Sequence, residues 1–330
     1  MVPARLVALV LAALVIGGCG ETQEAATTPA ATAPPSTPTP AAASLTAPPT
    51  PKLPATVTAI GGQQVTVADV SRVVVLNGDL AEIVFALGLG ANVVATDTSA
   101  TFPAEAKALP KIGYQRTLNA EGILAQRPTL VLGDEAAGPP AVLDQVRSAG
   151  VTVVQLATGK DLAAPGAKVR SVAAALGISG AGERLASATD AEISRARQAA
   201  AAGSAGKRPR VAFLYLRGTT TLLLAGKGSG ADALIDGAGG IDAGTEAGIS
   251  GFAPLTAESL VAARPDVLLV LTASLESVGG VDGLLGLPGV AQTPAGQSRR
   301  VLHYDDLYLL GLGPRTGAAL ADLAKGLHGS

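Results

Sequence analysis

Short apolar runs alternate with amphipathic segments along the first half of this chain. Residues 72–77 read RVVVLN, a β-branched run that predicts a buried strand. A helix ending near Gly88 is predicted next from apolar residues at helical spacing: Leu80, Ile83, Val84 and Leu87. The same reasoning predicts strands at 92–97, 129–134 and 151–156 and a helix at 141–150. This alternation is typical of a parallel sheet covered by helices.

An alanine-rich helical pattern from Ala163 to Ala202, interrupted at 177–182, then separates this region from a second one of the same kind. There, strand patterns occupy 211–218, 221–226 and 267–272, and 230–240 carries a helical pattern. We therefore predict two similar α/β lobes with parallel-type sheets, joined by a long backbone helix, with a ligand cleft between them. The predicted bounds are 71–160 for the N-terminal lobe, 161–206 for the connecting helix and 207–330 for the C-terminal lobe.

The two predicted lobes contain similar segments. AEGILAQRPTLVL begins at Ala120 and AESLVAARPDVLLV begins at Ala257, with alanine, glutamate, arginine and proline at matching offsets. Each segment predicts a short helix, stopped by a proline, that leads into a buried strand. Chance similarity of two helix–proline–strand units is the alternative, and the predicted architecture holds in either case.

The N-terminus has the features of an export signal. Arg5 is followed by eleven apolar residues, Leu6 to Ile16, which are too few to span a bilayer, and then by Gly17, Gly18 and Cys19. Small residues before the single cysteine resemble the lipobox of bacterial lipoproteins, which implies a lipoprotein signal peptide at 1–19 that is cleaved before Cys19, so that Cys19 becomes the lipidated N-terminus. An ordinary signal peptide with a chance cysteine is the alternative. Residues 20–54 contain nine prolines and no aromatic residue, which predicts a disordered tether.

Composition argues against most enzymes and against nucleic-acid binding. The net charge of −2 does not favour a nucleic-acid partner. Of the two histidines, His328 lies near the C-terminus, which leaves His303 as the one candidate for a histidine-based catalytic site. The run GKGSG at 226–230 lacks the spacing of a phosphate-binding loop, so we interpret it as a turn. The adjacent Asp305 and Asp306 are interpreted as a solvated turn.

Aromatic residues make up only 2% of the chain, yet two of its four tyrosines precede an arginine by two positions. Tyr114 is followed by Arg116, and Tyr215 by Arg217. In extended chain, residues i and i+2 point to the same side, so each guanidinium can lie beside its tyrosine. A nearby arginine favours the phenolate form of a group whose ordinary pKa is about 10, and phenolate is a ligand of ferric haem. Structural tyrosines with surface arginines are the alternative.

Several segments resemble the haem-binding lipoproteins of bacterial haemin ABC importers, which belong to the family of cobalamin- and ferric siderophore-binding proteins. The resemblance extends from about Ser71 to the C-terminus and is carried by RVVVLNGDLAEIVFALGLGANVVATD, by IGYQRTLNAEG, by FLYLRG and by LYLLGLGPRT. It implies a non-enzymatic receptor that is lipid-anchored to the outer face of the cytoplasmic membrane. Such a receptor captures haem and delivers it to a permease with its ATPase.

The resemblance also implies roles for individual residues. Tyr114 and Tyr215 occupy positions of axial haem ligands, each supported by its arginine, Arg116 or Arg217. The chain departs from the family by having tyrosine at both positions, so either tyrosine or both are candidates. Glutamates on the rims of the two lobes dock onto permease arginines in the family, and these positions correspond to Glu121 and Glu258. Stabilisation of a helix N-terminus is the structural alternative for both glutamates.

Two other functions remain open at this level. A receptor for a ferric siderophore or cobalamin is the nearest alternative, and it has no need of a phenolate ligand. A lipoprotein enzyme is the more distant one, and it requires a catalytic group outside the residues considered above.

Overall fold

The computed structural model describes residues 48–204 and 206–329. Residues 1–19 with Cys19, and most of the predicted tether 20–54, lie outside this range. Within it, no helix has the length and apolar character needed to cross a membrane.

Twelve strands and fourteen α-helices are found in this part of the chain. The strands are β1 (Ala55–Thr58), β2 (Gln64–Val67), β3 (Val73–Val75), β4 (Val93–Thr96), β5 (Leu130–Asp134), β6 (Thr152–Leu156), β7 (Arg210–Arg217), β8 (Thr221–Ala225), β9 (Ile241–Asp242), β10 (Phe252–Pro254), β11 (Val267–Leu271) and β12 (Val301–Tyr304). The helices are α1 (Gly78–Ala86), α2 (Ala104–Ala108), α3 (Ala120–Leu124), α4 (Pro140–Ser148), α5 (Ala164–Ala175), α6 (Ser179–Gly203), α7 (Ala231–Gly237), α8 (Ala243–Glu246), α9 (Ala257–Ala263), α10 (Thr272–Ser277), α11 (Gly280–Leu285), α12 (Pro294–Gln297), α13 (Asp306–Leu310) and α14 (Thr316–His328).

The strands form two separate main sheets, one in each predicted lobe. The N-terminal sheet has four parallel strands in the order β4-β3-β5-β6. The C-terminal sheet follows the order β10-β8-β7-β11-β12, with β9 beside β7. Apolar clusters cover both faces of each sheet, as expected for buried parallel strands. The α/β architecture predicted from the sequence is confirmed.

The C-terminal sheet is mixed rather than wholly parallel. Strand β8 runs antiparallel to β7, and β10 runs antiparallel to β8. Only residues 218–220 connect β7 to β8, and a parallel pair would need a crossover of about a dozen residues. The connection length therefore dictates the antiparallel pairing.

Two helices, rather than one, lie between the sheets. Helix α5 ends at Ala175, Gly177 adopts a φ of 69°, and α6 then runs for 25 residues. The Gly177 carbonyl accepts a hydrogen bond of 2.8 Å from the Lys52 amide. Helix α6 contributes Ala186 to the N-terminal core and Ile193 to the C-terminal core, so it bridges the two lobes.

The two similar segments adopt the same local structure. In each, a short helix, α3 or α9, is followed by an arginine in the left-handed region, a proline and a buried parallel strand. The φ angles of these arginines are 49° at Arg127 and 47° at Arg264. The helix–proline–strand units predicted from the sequence are therefore confirmed.

Candidate ligand-binding site

The four tyrosines fall into two environments. Tyr304 and Tyr308 are buried, and their hydroxyls donate to the Asp322 carbonyl at 3.1 Å and to its carboxylate at 2.7 Å, respectively. Burial raises the pKa of Tyr304 to about 12 and also raises the pKa of Tyr308. By contrast, Tyr114 is 45% exposed and Tyr215 is half-buried. Tyr114 and Tyr215 are therefore the two tyrosines whose side chains a ligand could reach.

Tyr215 and Arg217 form a closely packed corner at the carboxyl end of β7. The Arg217 Cζ atom lies 4.4 Å from the centre of the Tyr215 ring, as strand alternation predicts. The Arg217 guanidinium donates to Ser274 Oγ and to the Leu216 carbonyl, both at 2.9 Å, and pairs with the Asp306 carboxylate at 3.2 Å. Ser274 and Asp306 begin the segments after β11 and β12, so three adjacent parallel strands converge on this arginine.

The two aspartates at 305–306 are more than a solvated turn. Asp305 caps α13 by accepting a hydrogen bond from the Tyr308 amide at 3.0 Å. Burial raises the pKa of Asp306, and the Arg217 guanidinium opposes that rise. The interpretation from the sequence is therefore wrong for Asp306, which takes part in the corner.

Replacing Ser274 with alanine is expected to destabilise the protein by about 1–3 kcal/mol. Ser274 is fully buried, and its hydroxyl also accepts the Leu216 amide at 3.2 Å, so the substitution leaves a buried N–H without this partner. Urea unfolding followed by circular dichroism measures the loss. The exposed Ser298→Ala variant is the control, and equal midpoints for the two variants would contradict this reading.

Tyr114 and Arg116 have a different geometry. The Tyr114 carbonyl accepts from the Thr117 amide at 2.9 Å, so the segment is a turn and not the extended chain assumed from the sequence. Arg116 is exposed, and within the described residues neither its side chain nor the Tyr114 hydroxyl makes a hydrogen bond or ion pair. The predicted contact between this tyrosine and its arginine is therefore not formed, whereas both side chains stay accessible.

The turn itself is anchored by Gln115. Its carbonyl accepts from the Gly138 amide at 2.8 Å. With its side-chain nitrogen directed inward, Gln115 donates to the Leu76 carbonyl at 3.0 Å and to the Asp134 carboxylate at 3.3 Å. The turn that presents Tyr114 is thus fixed to the carboxyl ends of β3 and β5.

A buried polar cluster lies at the same edge of the N-terminal sheet. Asn77 donates to Asp134, and Ser99 donates to Asp97 at 2.8 Å. Burial raises the pKa of Asp97 and the pKa of Asp134. Asp97 Oδ2 has no hydrogen-bond partner among the described residues. Sequence reasoning did not single out this cluster, although three of its four members, Asn77, Asp97 and Asp134, are the last residues of predicted strands.

Two buried ion pairs hold helix α1, one to the C-terminal lobe and one to the connecting helix α5. Arg315 donates to both carboxylate oxygens of Glu82 on α1, at 2.9 and 2.8 Å. Lys168 of α5 pairs with Asp79 of α1 and donates to the Gly311 carbonyl at 2.9 Å. All four ionised side chains are at most 7% exposed. The Arg315 guanidinium also lies 3.7 Å from the centre of the Phe102 ring. Sequence reasoning missed these pairs.

Phe252 extends the Tyr215 corner. Its ring meets the Tyr215 ring edge-on, with 6.0 Å between centroids and an interplanar angle of 69°. Strand β10, which carries Phe252, pairs with β8, and β8 pairs with β7. The Tyr215 ring is therefore held between a guanidinium and a second aromatic ring.

The remaining predicted residues lie apart from this corner. Glu121 and Glu258 are exposed in the first turns of α3 and α9, as their similar segments predict. His303 is half-buried on β12, and its Nδ1 lies 3.3 Å from Thr272 Oγ1. Within the described residues, no cluster of three or more histidine, cysteine, aspartate or glutamate side chains could hold a metal ion. Two concave regions border α6 near Arg197, and neither includes a tyrosine.

Solved structures with the same fold include heme-binding proteins. The chain is 55% identical to the periplasmic heme-binding protein RhuT from Roseiflexus sp. RS-1, covering 79% of this chain and 99% of that one, with a TM-score of 0.77. It is 37% identical to the heme-binding protein HmuT, covering 87% and 94%, with a TM-score of 0.81. Three variants of HmuT have also been solved, each with one residue replaced by alanine. The replaced residues are a histidine, a tyrosine and the arginine two positions after that tyrosine.

Curated relatives add the transporter context. YvrC of Bacillus subtilis, described as an uncharacterized ABC transporter substrate-binding lipoprotein, is 23% identical over 325 residues, which cover 97% of this chain and 95% of YvrC. A vitamin B12-binding protein of Vibrio cholerae matches at 33% over 82 residues, or 30% of its length.

These findings confirm the family resemblance read from the sequence. The conserved pattern of the periplasmic binding protein family matches residues 73–308, which is more than two thirds of the chain. The matched region begins with β3 and ends within α13, so it includes both sheets and the Tyr215 corner. The chain belongs to the periplasmic binding protein family.

Proposed function

We propose that this protein is an extracytoplasmic receptor that binds haem between its two lobes and delivers it to an ABC permease. The observation that carries the proposal is the corner formed by Tyr215 and Arg217 at the carboxyl ends of three parallel strands. Ligands of open α/β folds bind at such ends. Membership of the periplasmic binding protein family implies a location outside the cytoplasm.

Tyrosine ligation suits ferric haem as the cargo. Phenolate is a hard anionic oxygen donor, and the Arg217 guanidinium, 4.4 Å from the centre of the Tyr215 ring, holds that ring in place beside the proposed iron position. The solved HmuT variants support this choice, because their substituted tyrosine and arginine have the same spacing as Tyr215 and Arg217. Tyr114, on its exposed turn, is the second candidate ligand, and Arg116 is free to pair with a haem propionate.

Delivery is assigned to the exposed glutamates of the two similar segments. Glu121 and Glu258 occupy equivalent positions on α3 and α9, one in each lobe, where a permease with two matching basic sites can meet them. Lipidation of Cys19, which lies outside the described residues, would keep the receptor at the outer face of the cytoplasmic membrane. The description of YvrC as a substrate-binding lipoprotein supports this arrangement.

Haem is preferred over cobalamin because of sequence identity to solved heme-binding proteins. The chain is 55% identical to RhuT and 37% identical to HmuT over most of both chains, whereas it is 33% identical to the vitamin B12-binding protein over only 82 residues. A ferric siderophore is the other alternative cargo, and it would leave the Tyr215 hydroxyl without a role as an iron ligand.

A haemin titration of the purified protein, followed by absorbance, tests the proposal. We expect saturable binding with the spectrum of a ferric phenolate complex, because a tyrosine supplies the iron ligand. Cobalamin and a ferric siderophore are titrated in parallel by calorimetry. Saturable binding of either, without binding of haemin, would replace haem as the cargo.

A further inference from the structure

Phe252 is placed unlike the other phenylalanines of the chain. It is 41% exposed, whereas Phe213 is fully buried, Phe85 is half-buried against the N-terminal core and Phe102 is covered by the Arg315 guanidinium. Leaving an aromatic side chain in water forgoes most of the free energy that its burial would contribute. In a chain with 2% aromatic residues, an exposed ring beside the Tyr215 corner indicates a surface that becomes covered when ligand binds.

The surroundings of Phe252 indicate what covers it. Ala225, its partner on β8, and Leu223, the partner of Tyr215, lie two positions apart and therefore on the same face of the sheet. The edge-on contact of 6.0 Å joins Phe252 to Tyr215 on that face. A planar ligand whose metal is bound by Tyr215 would extend several ångströms beyond the metal, over neighbouring side chains.

We infer that Phe252 is a ligand-contacting residue that packs against the apolar macrocycle of the bound porphyrin, an inference that rests on the proposed haem-binding function. An aromatic ring gains from contact with a flat conjugated macrocycle, and this gain does not depend on the metal. Phe252 therefore selects for the macrocycle, whereas Tyr215 selects for the ferric ion. A siderophore with a polar outer surface would gain little from this residue.

The test compares haemin with iron-free protoporphyrin IX, which cannot be ligated by tyrosine. In Phe252→Ala and Phe252→Leu we expect the affinity for both porphyrins to fall by about five- to tenfold, with the smaller loss in the leucine variant. The absorption spectrum of the ferric complex should stay that of the parent, because the iron ligand is unchanged. Val261→Ala is the control, since Val261 is 42% exposed on α9, whose buried residues pack on the opposite face of the sheet from Tyr215.

Three results would overturn the inference. Protoporphyrin affinities equal to that of the parent would show that Phe252 does not contact the macrocycle. An equal loss in Val261→Ala would show that the effect is not local. A loss confined to haemin, with a changed ferric spectrum, would mean that Phe252 acts only by positioning Tyr215. The parent is titrated first, so a parent that binds neither porphyrin counts against the proposed function itself.

Discussion

Replacing Tyr215 with phenylalanine is expected to lower the affinity for haemin by about 100-fold and to abolish the ferric phenolate absorption. Loss of an outer-shell partner of a metal ligand typically costs about 10–100-fold in affinity, so removal of the ligand itself should reach at least the upper end. Only the hydroxyl is lost in this variant. The ring can keep its contacts with Arg217 and Phe252, and the fold should remain intact.

Companion variants make the measurement specific. Tyr114→Phe is expected to cost less, because Tyr114 lies on an exposed turn without a supporting guanidinium contact. Tyr304→Phe serves as the control, since its hydroxyl is bonded to the Asp322 carbonyl in the core. Haemin titrations by absorbance compare all three variants with the parent. A parent-like spectrum in Tyr215→Phe, with a changed one in Tyr114→Phe, would transfer the ligand role to Tyr114.

Replacing Arg315 with methionine is expected to destabilise the protein by about 3–5 kcal/mol, the usual cost of removing one partner from a buried ion pair. Glu82 would then be an unpaired carboxylate, 5% exposed, on the apolar helix α1. The Glu82→Leu/Arg315→Met double variant should regain much of the loss, because no charge remains buried. Urea unfolding of both single variants and the double variant gives the coupling energy, and additive losses would contradict the pairing.

The pH dependence of the Arg315→Met variant follows from the same burial. Burial already raises the pKa of Glu82, and Arg315 opposes that rise. When the pKa of a carboxyl group is higher in the folded protein than in the unfolded chain, the ionised group destabilises the folded protein at pH values above both pKa values. This penalty disappears as the pH falls toward the pKa that the group has in the unfolded chain. The deficit of Arg315→Met relative to the parent should therefore shrink as the pH falls from neutral toward the ordinary glutamate pKa of about 4.3.

The fold could be predicted because local patterns and global architecture agree. Apolar runs such as Val73–Val75 and Val267–Leu271 are strands, and the segments after Asn119 and Thr256 are capped helices. The contact between Tyr215 and Arg217 followed from strand alternation alone. The same rule misjudged Tyr114 and Arg116, because residues 114–117 form a turn in which i and i+2 diverge.

The two buried ion pairs of α1 could not be derived from the sequence. Glu82 and Arg315 are 233 positions apart, and no periodicity connects them. Asp79 and Glu82 on the apolar helix α1 did carry a signal, since buried carboxylates require partners. The identity of those partners depends on how the lobes pack. For the same reason, the contact of Phe252 with Tyr215 depends on sheet order across three strands.

The hydrogen bond between Lys52 and Gly177 attaches the beginning of the described chain to the junction of α5 and α6. A force applied to the chain before Lys52 would therefore act first at this junction. That junction lies in the helices that join the lobes, and neither β7 nor α3 is attached there. If the protein is anchored through its N-terminus as proposed, the load on that anchor would meet the α5–α6 junction before it meets Tyr215, Glu121 or Glu258.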